Sequence, residues 1–320
     1  MRTFVLYGSG FDPFENLAIE EALLDFVGQG DCVLYLWQNE KTVVIGKNQN
    51  PWKECRLPLL EQEGVRLARR PSGGGAVYHD PGNLNFSFVA GSSAYDVPRQ
   101  IGVILRALRS LGLPASVSGR NDLLLDGRKF SGHAYYRRKN AACHHGTLMV
   151  DVDTQAAARC LTPAKAKLTA RGVDSVRARV VNLCEFLPDL TVETLKTALE
   201  SAFSAEYGAA EPMSADALNA ELLRRLTDRN RSDEWRLGTR FSADLCAEGQ
   251  FAWGHAELHL RLCGKTITDC RLYTDALDET LASCVEHALT GVPFTREAVC
   301  AALPDTIAGA DLFHLLEQNL

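Results

Sequence analysis

Two hydrophobic periods alternate along this chain, and the places where one gives way to the other mark its elements. Thr3–Tyr7 reads as a short strand. Asp12, Pro13 and Glu15 then supply an N-cap, a first-turn proline and the acid of a capping box. Ile19, Ala22, Leu23 and Phe26 follow at helical spacing, and Gly28 and Gly30 end that helix. Cys32–Trp37 and Thr42–Ile45 are apolar runs joined through Gln38–Lys41, which predicts a hairpin. Pro51–Gln62 is partly helical, with Pro58 expected to interrupt it, and Val65–Ala68 is a strand.

Further on, Leu84, Phe86 and Phe88 alternate with Asn85 and Ser87, a strand with one apolar and one polar face. Ile101, Ile104, Leu105, Leu108 and Leu111 return to the helical period before Gly112 and Pro114. Strands are expected at Asp122–Leu125, Arg128–Ala134 and Thr147–Val152, and a helix over Thr191–Tyr207. Thr227–Thr239 is charged, poor in apolar residues and reads as a linker, with Trp235 as its one large apolar side chain. Beyond it, two strand patterns (Gln250–Leu262, Lys265–Tyr273) precede helices near Glu279–Leu289 and Thr295–Ala302, a small α+β unit. The division is therefore 1–230, a linker at 231–242, and 243–320.

Composition narrows the class. Hydrophobic residues make up 46% and charged ones 23% of 320, as in soluble globular enzymes. No apolar run approaches the roughly 20 residues of a membrane span, and the N-terminus lacks the design of a signal peptide. The ten cysteines form no C-x-x-C pair and read as reduced thiols, which points to the cytoplasm. A net charge of -6 argues against a nucleic-acid binder, and local basic clusters on that background suit a small anionic ligand.

Candidate chemistry concentrates in two segments. In Arg69-Arg70-Pro71-Ser72-Gly73-Gly74-Gly75-Ala76-Val77-Tyr78-His79, glycines can present several backbone N–H groups to one anion beside two guanidinium groups. A glycine-rich loop next to a solvated arginine pair would read the same way. In Asn121–Gly132, Asp126-Gly127 forms a hairpin turn that sets Leu124 opposite Lys129 and Asp122 opposite Ser131. Asp122 and Lys129 then share a face, and Lys129 is either an oxyanion clamp or a solvated surface lysine. His144 and His145 are adjacent on a strand, so they face opposite ways and cannot share a metal; one is read as buried and one as facing the site. Cys143 beside them is a nucleophile for acyl transfer or a small buried hydrophobe.

Together the segments resemble the lipoate–protein ligase family. The resemblance rests on Asn50–Cys55, the Arg-Arg-x-Ser-Gly-Gly-Gly-Ala-Val core, Gly119–Leu123, Arg128-Lys129-x-Ser-Gly, His144–Leu148, the run from Ser175 to Leu183, and Phe251-x-Trp253-Gly254-x-x-Glu257-Leu258. It implies an α+β fold: a large mixed-sheet catalytic domain of the biotin/lipoate ligase type with a small α+β C-terminal accessory domain. It also implies that lipoate and Mg2+-ATP give lipoyl-AMP, whose acyl group passes to a lysine of a lipoyl carrier. Those carriers would be the lipoyl domains of 2-oxoacid dehydrogenase E2 subunits and the glycine-cleavage H protein; nucleic acid and membrane are not expected as partners.

In that scheme Lys129 is catalytic, and Arg70, Gly75, Ala76, Val77 and Tyr78 hold phosphate together with Lys129 and Asp122. Asp122 is either a Mg2+ ligand or the partner of Lys129 or Arg120. Leu17, Trp37, Val44, Val77 and His79 form the slot for the acyl tail, with Arg70, Ser72 and His145 also on the substrate. Relatives often carry an arginine where Tyr136 stands here, so Arg137 receives no role, and His133 replaces a small residue. A cysteine-dependent octanoyl or lipoyl transferase that needs no ATP is the alternative. The linker is expected to let the accessory domain swing.

Overall fold

The computed structural model describes residues 2–119, 121–162 and 180–320. An eight-stranded mixed sheet runs through the larger part of the chain in the order β11-β1-β2-β6-β10-β9-β8-β7. Its central members are β1 (Thr3–Tyr7), β2 (Cys32–Trp37), β6 (Asn83–Gly91), β10 (Ala141–Met149) and β9 (Arg128–Arg138). At the edges lie β11 (Glu211–Met213) on one side and β8 (Asp122–Leu125) and β7 (Ser116–Ser118) on the other. A second, three-stranded sheet of β3 (Thr42–Ile45), β4 (Arg66–Arg69) and β5 (Val77–His79) has the order β4-β3-β5.

The hairpin expected from Cys32 to Ile45 therefore does not form. β2 pairs with β1 and β6 in the large sheet, and β3 pairs with β4 and β5 in the small one. All six residues of β2 and all four of β3 are buried, so neither has a free edge for the other. The crossing segment is tied down instead: Asn16 Nδ2 donates to Gln38 O at 2.8 Å and to Asn39 Oδ1 at 3.0 Å.

Helix α1 (Pro13–Phe26) starts as its sequence dictates, with Asp12 Oδ1 accepting from the Phe14 and Glu15 amides. It is buried on nearly every side, Glu20 and Glu21 included, which a simple amphipathic reading does not anticipate. Pro58 does not interrupt a helix; it sits in the first turn of α3 (Leu57–Gln62), which follows a short α2 (Pro51–Glu54). α4 (Val97–Ser110) and α6 (Val192–Tyr207) cover the opposite face of the large sheet, with α5 (Thr154–Cys160) between them in sequence.

The large sheet separates two cores. On one face Leu84, Phe86, Phe88 and Phe130 pack with α4 and α6. On the other, Val33, Tyr35, Trp37, Val89 and Cys143 meet Leu17, Leu23 and the rest of α1. The polar members of β6 (Asn83, Asn85, Ser87) lie on this second face and are as buried as the apolar ones, so the alternation marks a covered polar surface and not a solvated one.

The stretch read as a linker is largely helical. α7 (Ala220–Arg231) and α8 (Asp233–Leu237) occupy it, and Trp235 docks on β4. Trp235 Nε1 donates to Arg69 O at 2.9 Å while Arg69 Nε donates to Trp235 O at 2.8 Å. Charge placed on a helix anchored by one aromatic thus reads in sequence like a polar linker.

The small C-terminal unit has three strands where two were expected: β12 (Leu245–Phe251), β13 (Gly254–Cys263) and β14 (Thr266–Thr274). α9 (Leu281–Leu289), α10 (Arg296–Ala302) and α11 (Ile307–Glu317) pack on it around Leu258, Leu272, Val285 and Leu312. Among the described residues no helix is long and apolar enough to cross a membrane.

Candidate active site

A cleft of about 430 Å³ opens between the two sheets and the C-terminal unit. Leu17, Trp37, Val44, Arg70, Gly75, Ala76, Val77, His79, Asp122, Lys129 and His145 all line it. Its floor is the polar face of the large sheet and its roof is α1 with the small sheet. Four floor strands stand in the order β2-β6-β10-β9. At about 4.8 Å per step this gives a slot of roughly 14 Å from Trp37 to the Lys129 strand.

Lys129 stands at the open end, its side chain 38% exposed, with Nζ 2.7 Å from Asp122 Oδ1. The hairpin has the expected turn, with Leu125 opposite Arg128 and Leu124 opposite Lys129. A bulge then shifts the register, so Leu123 faces Ser131 and Asp122 faces Gly132. The shift turns Phe130 fully into the core while Lys129 and Asp122 stay on one side. Gly132 leaves room for the lysine: a Cβ there would lie 3.0 Å from Lys129 Nζ.

The arginine pair is used otherwise than expected. Arg69 faces neither solvent nor the cleft; its guanidinium donates to Gly46 O, Lys47 O, Gln49 O, Trp235 O and Arg236 O. Arg70 lines the cleft, but its donors bind Val44 O (3.2 Å), Gly73 O (2.7 Å), Gly75 O (2.8 Å) and Ser72 Oγ (3.0 Å). Burial holds its guanidinium down to about 10, still charged at neutral pH. Arg70 therefore braces the glycine loop from beneath, contributing field rather than a free fork.

Ser72 is also displaced from the expected contact, whereas Tyr78 is expected to offer only its backbone. Ser72 is fully buried, and its Oγ is 2.7 Å from His145 Nε2. The Tyr78 side chain lies on the opposite face of β5, in a core with Ile45 and Leu60.

The sequence reading did not find Glu20. This fully buried carboxylate is 2.9 Å from His145 Nδ1, accepts from Tyr136 OH at 3.3 Å and bonds Ser87 Oγ. His145 is held at both nitrogens, between Glu20 and Ser72. Its neighbour His144 points to the other face, where His133 Nδ1 and Gln100 Oε1 bind it at 2.8 and 2.9 Å. Asn85, also missed, lines the slot on β6; buried polar alternation on a strand covered on both faces was the available signal. Arg137 is turned away, its guanidinium 5.3 Å over the Tyr95 ring. Arg120 and the run from Ser175 to Arg179 lie outside the described residues.

Cys143 is fully buried, and desolvation pushes its thiol well above the ordinary range, so it is not a ready thiolate. Glu20, Cys143 and His145 come close enough to hold an ion. A protonated thiol and an imidazole engaged at both nitrogens suit a hydrogen-bond network instead. Asp122, a half-exposed carboxylate at the mouth, is the group whose chemistry would suit a hard cation there.

The C-terminal unit closes the cleft. The Gly74 amide, at φ +88, donates to Ala276 O at 2.9 Å, and Phe251 and Trp253 stack 5.1 Å apart on the outer wall. Gly73 is required here, because a Cβ would sit 2.3 Å from Ala276 O and 2.7 Å from Leu277 O. Gly73→Ala is accordingly expected to dislodge the 276–277 strap, seen as faster proteolytic cutting between the units; unchanged cleavage would show that the loop absorbs the methyl.

Burial lowers His79 and His133 to about 3 and His144 well below its usual value. Between about pH 6.5 and 3 the unfolded chain binds protons that the folded chain refuses, so stability falls as pH falls through that window. Each such histidine removes up to about 1.4 kcal/mol per pH unit. The melting temperature should drop steadily from pH 7 to pH 5; a flat profile would mean that these rings titrate normally.

A lysine at the mouth of a narrow slot, beside a braced glycine loop, makes a site suited to a small acid. Residues 12–204 match the lipoyl protein ligase A/B catalytic domain, and residues 242–319 the bacterial lipoate protein ligase C-terminus. The chain belongs to the lipoate–protein ligase family. Plasmodium falciparum LipL1, solved in complex with lipoate, is similar at 26% identity with a TM-score of 0.87, over 99% of both chains. A bipartite lipoate protein ligase with its E2 lipoyl domain from Thermoplasma acidophilum is 28% identical with a TM-score of 0.67, over 77% of this chain and 100% of that one. A lipoate-protein ligase A bound with ATP is 28% identical with a TM-score of 0.64, over 74% of this chain and 98% of that one.

Proposed function

We propose that this protein activates lipoate with ATP and transfers the lipoyl group to a lysine of a lipoyl carrier domain. The observation that carries this reading is Lys129, paired with Asp122 at 2.7 Å where the slot meets the glycine loop. In the first step a carboxylate oxygen of the acid bonds to the α-phosphorus of ATP and pyrophosphate leaves. Lys129 would bridge acid and α-phosphate oxygens, screening their repulsion, while Asp122 orients its ammonium. In the second step the carrier's ε-amine attacks the acyl carbon and AMP leaves. Donors fixed in place act on the oxygens where charge grows in both steps.

Gly75, Ala76 and Val77 would offer backbone to phosphate, and Asp122 would hold Mg2+, which supplies charge neutralisation when bound. Leu17, Trp37, Val44, Val77 and His79 would take the tail; burying four methylenes is worth roughly 3 kcal/mol at about 0.8 kcal/mol each. The LipL1 complex with lipoate, the ATP-bound ligase and the ligase with its E2 lipoyl domain support lipoate, ATP and a carrier domain in turn. The glycine-cleavage H protein is proposed as a second acceptor. The division at 1–230, 231–242 and 243–320 stands as a proposal, with any swivel confined to the part after Leu237, since Trp235 is docked. A cysteine-dependent transferase is disfavoured by the buried, protonated Cys143.

The test is incubation with ATP, Mg2+, lipoate and an E2 lipoyl domain, read by pyrophosphate release and by intact mass of the acceptor. A lipoyl increment that requires ATP is expected; an increment without ATP, or none with it, would overturn the reading.

A further inference from the structure

Beside the cleft, on the C-terminal unit, lies a second hollow of about 480 Å³. Its walls come from the strap after β14, from α9 and from the entry to α11, with Leu281, Cys284, Pro304 and Ile307 among them. Trp253 and Leu277 line both this groove and the active-site cleft, so the two form one continuous surface. The wall they share is fixed in place. Trp253 Nε1 donates to Asp311 Oδ2 at 2.8 Å, and its ring stacks on Phe251. The strap is bonded to the larger unit as well: the Thr274 amide donates to Asn48 O at 2.9 Å, and Ala276 O accepts from the glycine loop.

The lining of the groove is mostly apolar, and Ile307 stands at its lip with 78% of its surface open to solvent. A lone exposed isoleucine is ordinary. This one borders an apolar hollow that runs into the cleft, which is the pattern of a surface that takes a partner. Asp278 lines the groove, and Asp275 stands on the cleft side of the same strap. Asp278 Oδ1 accepts from the Thr280 amide and hydroxyl, and Asp275 Oδ1 accepts from the His255 amide. The second oxygen of each carboxylate has no partner among the described residues. The way from groove to cleft is thus apolar underneath and anionic along the strap.

An acceptor lysine has to bring its ε-amine to the acyl carbon in the cleft, and its stem carries that amine only about 6 Å from its own backbone. The body that bears the lysine must therefore cover the mouth, and the groove continues the mouth onto the C-terminal unit. Resting on the proposed transfer to a carrier domain, we infer that this groove docks that domain, taking an apolar side chain that flanks the acceptor lysine. The free oxygens of Asp275 and Asp278 then lie beside the path of the incoming ammonium. Ile307 closes over the inserted side chain, so its own surface leaves water on docking.

The test measures transfer to an E2 lipoyl domain by the full chain, with ATP, Mg2+ and lipoate, and compares wild type with Ile307→Glu. The change lies on an open surface, so the fold is kept, which melting curves verify. KM for the lipoyl domain should rise by about tenfold, the size of effect expected for a residue that anchors an interface. The pyrophosphate burst without carrier, and transfer to hydroxylamine, which is too small to touch the groove, should stay as they are. Ile307→Leu should hold the wild-type KM. An unmoved KM in Ile307→Glu, or equal loss with hydroxylamine, overturns the inference while leaving acyl activation intact. So does a wild type that pairs through this residue in light scattering, or that carries an apolar molecule the glutamate variant lacks, with the carrier's KM unmoved. Should wild type modify no lipoyl domain at all, the proposed function falls, and calorimetric binding of that domain to the chain decides this point alone. Binding weakened by Ile307→Glu supports the inference, and equal or absent binding overturns it.

Discussion

Lys129→Ala is expected to fold as the wild type does and to release pyrophosphate at a rate lower by on the order of a thousandfold. Its side chain is 38% exposed and makes its ion pair with Asp122 at the mouth, so removal opens no cavity in the core. A half-exposed pair of this kind contributes little to stability. What is lost is a cation placed where acid and phosphate oxygens would meet, and one donor aimed at developing charge is worth roughly 3–4 kcal/mol. An unchanged melting curve with activity near the limit of detection would fit this role. A folded variant with near-normal pyrophosphate release would remove Lys129 from the chemistry.

Arg70→Ala should do the reverse in its balance of effects. The guanidinium is fully enclosed and satisfies the carbonyls of Val44, Gly73 and Gly75. Its charge also faces the buried carboxylate of Glu20. Truncation strands those buried carbonyls, at roughly 1–3 kcal/mol for each group left unpaired, and removes a favourable charge near Glu20, a total of several kcal/mol. In a unit of this size that lowers the melting temperature by roughly 10 °C. Activity should fall as well, because the glycine loop loses its brace. Arg70→Lys should recover little, since one ammonium cannot span acceptors set out for a planar fork. Calorimetric melting of the three proteins side by side checks this; an alanine variant as stable as wild type would show that the loop holds itself.

The two variants separate what the sequence displayed from what it hid. Lys129 and Asp122 were legible because an Asp-Gly turn fixes a hairpin locally, and even a bulge left both side chains on one side. His144 and His145 were legible as a pair facing opposite ways because adjacent strand residues project to opposite faces. The tail slot, by contrast, came from the family resemblance: Leu17, Trp37, Val44 and Val77 lie on four elements, and nothing local brings them together. The different tasks of Arg69 and Arg70 were hidden because their acceptors are backbone carbonyls, which carry no residue signature. Glu20 was hidden inside a helical pattern that treats a carboxylate as surface. The supposed hairpin of β2 and β3 failed because two apolar runs joined by a few polar residues look alike whether they pair or part into different sheets.

Strand β6 has one more consequence. Phe86 belongs to the main core and Asn85, one residue away, to the slot. Because they project from opposite sides of the same backbone, the slot residue can be exchanged while the packing behind the sheet stays as it is. The lining of the cleft can thus change by point substitution without a change in the core behind it. A single inserted or deleted residue in the same strand would turn asparagine into the core and phenylalanine into the slot together. Variation in this family of sites should therefore be rich in substitutions along β6 and free of length changes within it.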